Sequence, residues 1–443
     1  MPKFNYSDLP CTAPLNIPDP VPNATLLTVL LFIRHGLRSP SQAWHLPGNE
    51  GQWNCNGIKD ITRFPNVTVN GQKYDYYLFN KTKKYIFPPS CEASSLTDEG
   101  VQQLFDLGKL YYKYSINNNL ISQTNLINFL STFSVRSSYV TRCIESALSF
   151  LNGFFYKFDE LLNQTFDIKT GQKNDEPLAP SPFRSDLIFQ NMLKFIDQEE
   201  YRKRHRRSEE LIQKFRKYLN ISYLTHEFES LSFGDYINTL RCNRQEDEVI
   251  KSINFEDEDE QLITPEIHRE MMRNVFYMEG NFYNFSLAPT VAPIFKLILD
   301  KLKKINYKRP EHLFNLFSAH SETLSALITA FGYNSEFTPP FASHFLIEVW
   351  KPESSSSFLR VVLNGEEIKR ISLHKFKKNA KKLVNQYDQM SKNKKNRSVE
   401  NKLVLAMKNK NNTAAHQRLK IIKINRYKKN LNRRRYITDY YVK

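Results

Sequence analysis

One apolar run near the start of the chain limits its fold most strongly. Residues 26–33 read LLTVLLFI, in which Thr28 is the single polar residue, and this run has the length and continuity of a strand buried on both faces. The run ends abruptly at Arg34, His35 and Gly36. Because open α/β sheets bind ligands at the carboxyl ends of their strands, we expect a functional site directly after this strand.

Two later apolar stretches end in the same way. Residues 129–135 lead directly to Arg136, and residues 313–319 lead to His320, and each stretch is followed by a helical pattern. Two more strands are predicted at 341–350 and 358–364, the second ending at the turn pair Asn364-Gly365. This alternation of strands and helices predicts an α/β fold with a mainly parallel central sheet flanked by helices.

Composition divides the chain into four parts. We predict an irregular N-terminal segment at 1–24, a discontinuous α/β catalytic core at 25–160 and 311–374, a mostly helical insertion at 161–310, and a basic tail, expected to be disordered, at 375–443. The insertion is expected to form one wall of the cleft and to decide the substrate.

The positive charge of the chain is concentrated in the predicted tail. The formal net charge is +17, yet residues 375–443 hold 22 Lys and Arg against 3 acids, so the rest of the chain is nearly neutral. Clustered basic residues can bind polyanions, but the aromatic side chains of the tail are too few and irregular for base stacking. Nucleic-acid binding is therefore not favoured, and a solvated extension is the simpler interpretation.

Cysteines and glycosylation sequons indicate the secretory route. Five cysteines cannot all pair within one chain; Cys143 lies in a helical pattern and is predicted to be buried and free, and the preferred disulfide joins Cys55 to Cys91. Asn-x-Ser/Thr sequons begin at Asn23, Asn66, Asn80, Asn163, Asn220 and Asn284.

Targeting signals leave the localisation open. The first ten residues, MPKFNYSDLP, lack the apolar core of a secretory signal. No stretch approaches the roughly 18 apolar residues that a membrane span requires. We therefore expect no membrane span, and the localisation is open between a secreted or lysosomal protein and one outside that route.

The residues after the first strand suit phosphate chemistry. Arg34 and Arg38 flank His35, and a guanidinium offers a planar set of donors that matches phosphate oxygens. The cluster can hold a dianion against a nucleophilic ring nitrogen, and Gly36 lets the backbone pass close to the anion. The alternative is a chance group of polar residues after a strand, with Arg38 merely exposed.

At this point the chain resembles the histidine acid phosphatase family, branch 2 of the histidine phosphatase superfamily. The family signature Arg-His-Gly-x-Arg-x-Pro is matched in full by residues 34–40. Further matches follow in the expected order: LTDEG at 96–100, Arg136-Ser137 with Arg142, and Ala319-His320 with Thr323. The resemblance covers roughly residues 25–160 and 312–372.

The resemblance implies a role for each matched residue. His35 would attack phosphorus and become phosphohistidine, Arg34, Arg38 and Arg136 would bind the phosphate of a small phosphorylated substrate, and His320 would hydrogen-bond the same oxygens. Water would then hydrolyse the intermediate, and neither a metal nor a cofactor is required.

The chain departs from the usual family pattern after His320. Most members have an Asp next, which protonates the leaving oxygen, whereas here Ser321 follows and cannot serve as that acid. Glu322 and Thr323 resemble the His-x-Glu-Thr arrangement of the multiple inositol polyphosphate phosphatases, in which the Glu is the proton donor. The simpler interpretation is that Ser321 caps a helix and Glu322 favours its positive end.

Two classes of function remain open. One is an active phosphatase, acting on small phosphomonoesters or, like a phytase, on inositol polyphosphates. The other is a protein that binds phosphate or inositol polyphosphate and has weak or lost catalysis; retention of His35 favours the enzyme, since a binding protein has no need of the nucleophile.

His344 is interpreted as structural because no partner for catalysis is evident beside it. The oligomeric state is open.

Overall fold

A computed structural model describes most of the 443 residues of the protein. The described residues are 9–41, 53–58, 66–74, 87, 89–121, 126–158, 164–173, 175–181, 185–203, 227–245, 269, 271–273, 280–303, 305, 313–333 and 338–396. Three of the predicted sequons, at Asn80, Asn163 and Asn220, lie outside these residues, while Asn23, Asn66 and Asn284 lie within them and are exposed.

The described strands form one sheet. The strands are β1 (Ala24–Arg34), β2 (Val67–Val69), β3 (Gln72–Lys73), β4 (Phe133–Ser137), β5 (Phe166–Lys169), β6 (Phe314–Ala319), β7 (His344–Pro352), β8 (Phe358–Leu363) and β9 (Glu366–Ser372). Their order across the sheet is β3-β2-β5-β4-β6-β1-β7-β8-β9. As the apolar run predicts, β1 lies inside the sheet and is buried along most of its length.

The α/β class is confirmed, but the sheet is mixed rather than mainly parallel. The pairs β1–β6, β6–β4, β4–β5 and β5–β2 are parallel. The pairs β1–β7, β7–β8, β8–β9 and β2–β3 are antiparallel. Short connections explain part of the difference, because a two-residue turn such as Asn364-Gly365, with φ of 50° and 92°, joins antiparallel strands only; the β1–β7 pair joins distant segments instead.

Helices cover both faces of the sheet. They are α1 (Asp98–Asn117), α2 (Leu126–Ser131), α3 (Thr141–Phe154), α4 (Asp186–Ile196), α5 (Glu227–Cys242), α6 (Leu287–Leu302), α7 (Ser321–Ala330) and α8 (Leu373–Asn396). Along β1, Leu31 and Ile33 pack in one core with α1 and α3, and Leu30 and Phe32 pack in a second core with α4, α6, α7 and α8. No helix among the described residues is long and apolar enough to cross a membrane.

The predicted insertion and tail contribute to the core. β5 lies within residues 161–310 and yet pairs with β4 and β2. α8 contains the first part of the predicted tail, because Leu373, Phe376 and Ala380 recur at helical spacing and are buried in the core shared with α6. The expectation of a disordered tail therefore does not hold for residues 375–396, and residues 397–443 lie outside the described part of the chain.

Two disulfides connect distant segments. Cys55 pairs with Cys91, as preferred from the sequence, and Cys143 is buried and outside both disulfides, as predicted. The second disulfide, which the sequence analysis did not identify, joins Cys11 to Cys242 across 231 residues and so fixes the N-terminal segment to α5.

Candidate active site

The strand ends identified from the sequence lie side by side. β4, β6 and β1 are parallel neighbours, so their carboxyl ends meet at one edge of the sheet. Arg34 of β1 is in register with Ala319 of β6, and the backbone N–H of His35 donates to the Ala319 carbonyl at 3.1 Å. This edge therefore brings together His35, His320 and Arg136.

The side chain of His35 is a buried, neutral imidazole. Its Nδ1 lies 2.9 Å from the carbonyl oxygen of Gly36. Because a carbonyl only accepts hydrogen bonds, Nδ1 carries the proton and Nε2 carries the lone pair. Burial lowers the pKa of His35 well below its usual 6.5, and the charges of Arg142 and Arg34 lower it further. Nε2 is thus an unprotonated nitrogen, which nucleophilic attack requires.

The loop after His35 is held by α1 and α3. The backbone N–H of Gly36 donates to Ser146 Oγ at 3.2 Å, and that of Leu37 donates to Gln103 Oε1 at 2.9 Å. A Cβ on Gly36 would lie 2.2 Å from the carbonyl oxygen of Gly100. Only glycine permits this close approach of backbone to helix, which fixes the direction of the chain at the site.

Arg34 and Arg38 are both buried and held by specific partners. Arg34 donates to the Pro339 carbonyl at 2.5 Å, and its guanidinium lies 4.1 Å from the centroid of the Phe341 ring. Arg38 donates to both carboxylate oxygens of Asp235, at 2.8 and 3.0 Å. Since Asp235 belongs to α5, the insertion contributes a side chain directly to the site.

Two further arginines lie at this edge of the sheet. The guanidinium of Arg136, at the end of β4, lies 3.4 Å from Glu176 Oε1, and that of Arg142, in the first turn of α3, lies 3.4 Å from His320 Nδ1. Within the described part of the chain, the buried Nε–H groups of Arg38 and Arg136 have no hydrogen-bond acceptor. Buried donors without acceptors are rare in native proteins, and a bound anion would satisfy them.

His320 lies close to His35, with the two ring centroids 5.7 Å apart. Because the guanidinium of Arg142 can only donate, His320 Nδ1 is the acceptor, and the protonated Nε2 donates to Ser138 Oγ at 2.9 Å. The thiol of Cys143 contacts the same ring, with Sγ 3.5 Å from Nε2. These contacts fix the tautomer and the orientation of His320.

Glu322 is half-buried in the first turn of α7, two residues after His320. His320 is the N-cap of this helix, and its backbone N–H donates to Thr323 Oγ at 3.4 Å. The hydroxyl of Ser321 donates to Glu322 Oε2 at 3.2 Å. Glu322 therefore supplies the carboxyl group at the start of α7.

His344 and Glu348, both on β7, make hydrogen bonds inside the core. The Tyr111 hydroxyl donates to His344 Nδ1 at 2.9 Å, and Nε2 donates to the Pro14 carbonyl at 3.2 Å. Glu348 is fully buried and binds the guanidinium of Arg360. The structural interpretation of His344 is confirmed.

Three charged residues of this site were not among those predicted. Arg142 had a signal, since it belongs to the matched motif, but no role was assigned to it. Asp235 and Glu176 lie in the predicted insertion, where no sequence pattern indicated a functional residue. Among the described residues there is no group of three or more His, Cys, Asp or Glu side chains that could hold a metal ion.

Comparisons with known proteins identify the family of the chain. The model of the histidine phosphatase superfamily (branch 2) matches residues 25–253. Counting factor 60 of Dictyostelium discoideum is 22% identical over 369 residues, which cover 79% of this chain and 83% of that protein. The 2-phosphoxylose phosphatase 1 of Homo sapiens is 22% identical over 385 residues, which cover 82% of this chain and 75% of that protein.

Solved structures share the fold. The phytase of Hafnia alvei in complex with tartrate has a TM-score of 0.53 at 10% identity, covering 82% of this chain and 98% of the phytase. The multiple inositol polyphosphate phosphatase of Bifidobacterium longum, in complex with inositol hexasulfate, has a TM-score of 0.51 at 13% identity, covering 83% and 93%. The resemblance indicated by residues 34–40 is confirmed, and with it the assignment to the phosphatases. The chain belongs to branch 2 of the histidine phosphatase superfamily.

Proposed function

We propose that the protein hydrolyses phosphate monoesters through a phosphohistidine formed at His35. The observation that carries this proposal is the tautomer of His35, whose Nδ1–H is donated to the Gly36 carbonyl and whose Nε2 is left to attack phosphorus. Burial, together with the charge of Arg142, lowers the pKa of His35, so the nucleophile stays unprotonated in mild acid.

Four arginines supply the positive charge that phosphoryl transfer requires. Arg34, Arg38 and Arg136 bind the non-bridging phosphate oxygens, as the family resemblance implies, and His320 hydrogen-bonds the same group. Arg142 joins them, because its guanidinium reaches the ring of His320. A guanidinium binds two oxygens at once, and its charge stabilises the transferring group in the transition state.

The reaction proceeds in two displacements. In the first, Nε2 of His35 forms a bond to phosphorus while the ester P–O bond breaks, and Glu322 gives its proton to the leaving oxygen. In the second, the carboxylate of Glu322 takes a proton from water, the water oxygen bonds to phosphorus, and the P–N bond breaks. Inorganic phosphate leaves, and both side chains return to their starting states.

Glu322 is the proposed proton donor because of its place at the start of α7. Ser321 occupies the position that carries an Asp in most of the family, and a hydroxyl cannot serve as an equivalent acid. Glu322 is half-buried one residue further on, next to the Ser321 hydroxyl and two residues from His320. General acid catalysis by a positioned carboxyl typically contributes about 100- to 10,000-fold to the rate.

The preferred substrate is a small molecule with one phosphate. Asp235 and Glu176 each bind one arginine of the site, so part of the positive charge is already balanced among the described residues. One phosphate dianion suits this balance better than a polyanion does. Similarity to 2-phosphoxylose phosphatase 1 supports a substrate with a single phosphate, and inositol polyphosphates are the second candidate because residues 320–323 match the His-x-Glu-Thr arrangement.

Steady-state kinetics of the full chain test this proposal. We would measure turnover of p-nitrophenyl phosphate, glycerol phosphate and inositol hexakisphosphate from pH 4 to pH 8, for the wild type, His35→Ala and Glu322→Gln. We expect no turnover by His35→Ala. For Glu322→Gln we expect a loss of about 100-fold or more with glycerol phosphate, whose alkoxide leaves poorly, and a smaller loss with p-nitrophenyl phosphate.

A matched control and a trapping experiment complete the test. His374→Ala, which changes an exposed histidine of α8, is expected to retain wild-type turnover. Quenching the reaction with radiolabelled substrate is expected to trap phosphate on the wild type and not on His35→Ala. Phosphate binding without turnover by the wild type would contradict the enzyme and favour the phosphate-binding protein.

A further inference from the structure

The loop after β5 holds a buried carboxylate that the proposed mechanism does not use. The side chain of Glu176 is 0% exposed. Its Oε2 accepts the backbone N–H of Gly171 at 2.5 Å, and its Oε1 accepts that of Leu178 at 3.0 Å and the guanidinium of Arg136 at 3.4 Å. Glu176 therefore closes its own loop and at the same time reaches an arginine that we assign to phosphate binding.

Gly171 permits this arrangement. A Cβ at this position would lie 2.6 Å from Glu176 Oε2 and 3.1 Å from the terminal nitrogen of Arg136. The first distance is shorter than a carbon and an oxygen tolerate without displacement. Any larger residue at position 171 would therefore move the carboxylate away from the guanidinium.

The same loop contacts the first turn of α7. The hydroxyl of the buried Thr323 donates to the Leu178 carbonyl at 2.6 Å and accepts the backbone N–H of His320 at 3.4 Å. Leu178 thus binds Glu176 through its N–H and Thr323 through its carbonyl. One short loop connects the end of β4, at Arg136, to the helix start, at His320.

We infer that Glu176 is a positioning residue, which directs the guanidinium of Arg136 toward the phosphate and, through Leu178 and Thr323, fixes the start of α7. This inference rests on the proposed function. A carboxylate held by two backbone N–H groups keeps one orientation, so its bond to Arg136 restricts a long and otherwise mobile side chain. The buried Nε–H of Arg136, which has no acceptor among the described residues, remains for an anion.

Binding of inorganic phosphate to the full chain tests whether Glu176 positions Arg136 for phosphate binding. Glu176→Gln keeps the size of the side chain but places an amide group against a backbone N–H, and Gly171→Ala displaces the carboxylate sterically. We expect isothermal titration calorimetry to show about tenfold weaker phosphate binding by each variant, the loss typical of a disturbed hydrogen bond to a charged group. Glu367→Gln, which changes an exposed carboxylate paired with Arg370, is the matched control and should bind as the wild type does.

Two further measurements separate positioning from a general structural effect. If Glu176 acts through Arg136, the double variant of Glu176→Gln and Arg136→Lys should bind phosphate no more weakly than Arg136→Lys alone. Thr323→Val should lower turnover of glycerol phosphate more than turnover of p-nitrophenyl phosphate, because it disturbs the helix start that carries the proton donor, and only the poorer leaving group depends strongly on that donor.

Several outcomes would overturn the inference. The inference fails if Glu176→Gln and Gly171→Ala, with wild-type circular dichroism, bind phosphate as tightly as the wild type does. It fails if the effects of Glu176→Gln and Arg136→Lys on phosphate binding add in full, or if Thr323→Val lowers the turnover of both substrates equally. It also fails if the wild type does not bind phosphate. If the wild type binds phosphate without turning over any monoester, while both variants bind it more weakly, the proposed function fails and the positioning of Arg136 stands.

Discussion

Removal of the His344 imidazole is expected to flatten the dependence of stability on acid pH. His344 is fully buried between the Tyr111 hydroxyl and the Pro14 carbonyl. Burial lowers its pKa from 6.5 to about 4. Below pH 6.5 the unfolded chain binds a proton that the folded protein takes up only near pH 4. The stabilising contribution of neutral His344 is therefore complete above pH 6.5 and is lost as the pH falls from 6.5 to about 4.

The magnitude follows from the two pKa values. At about 1.36 kcal/mol per pH unit, a change from 6.5 to about 4 corresponds to about 3 kcal/mol of unfolding free energy. We expect the wild type to lose about 3 kcal/mol more than His344→Gln between pH 7 and pH 4, although the variant is less stable than the wild type at neutral pH because its amide replaces two buried hydrogen bonds imperfectly.

Urea denaturation followed by tryptophan fluorescence measures this difference. Free energies of unfolding would be determined at half-unit intervals between pH 7 and pH 4 at constant ionic strength, for the wild type, His344→Gln and His374→Gln. The last variant changes an exposed histidine and is expected to follow the wild type. Parallel pH curves for the wild type and His344→Gln would refute the conclusion that burial keeps this imidazole neutral.

Three further predictions concern stability and protonation. Glu348→Gln leaves the buried guanidinium of Arg360 without its carboxylate and is expected to lower the unfolding free energy by about 3 kcal/mol in urea, whereas Glu367→Gln at an exposed ion pair should cost less than about 1 kcal/mol; equal losses would contradict this assignment. Cys242→Ser removes a disulfide that closes a separation of 231 residues and is expected to cost about 2 to 5 kcal/mol, measured in the same way; an unchanged midpoint would rule out a stabilising disulfide. NMR of ¹³C-labelled histidine, with the His35 signal assigned by its loss in His35→Ala, is expected to show a neutral His35 ring at pH 6.5, where an ordinary imidazole is half protonated, and a midpoint near 6.5 would contradict the lowered pKa.

The sequence predicted which edge of the sheet carries the candidate site because its signals are local. An apolar run identifies β1, and the polar residues directly after it, including His35, must then lie at a carboxyl end of the sheet. Arg136 and His320 follow apolar stretches in the same way, so the topology of parallel strands brings them together without knowledge of any side-chain contact.

Contacts set by the tertiary structure could not be predicted in this way. Asp235 meets Arg38 across 197 residues, and Glu176 meets Arg136 from a loop without any repeating pattern. The turn at Asn364-Gly365 was identified and makes β9 antiparallel to β8, but the antiparallel pairing of β7 with β1 joins segments far apart in the sequence and has no local signal. In α8 the many lysines obscure the apolar positions that bind the helix to the core.

The place of β1 in the sheet has a consequence for synthesis and folding. Among the described strands β1 is made first, and its partners β6 and β7 are made late. Thr28 donates to the Leu313 carbonyl across 285 residues, and His344 donates to the Pro14 carbonyl across 330. At a synthesis rate of about 5 to 20 residues per second, the apolar strand β1 remains unpaired with β6 and β7 for tens of seconds. Such non-local pairing slows folding, and an unpaired apolar strand can associate with other chains. The edge that carries His35 therefore assembles only after β6 and β7 have been made, and no N-terminal fragment that ends before them contains it.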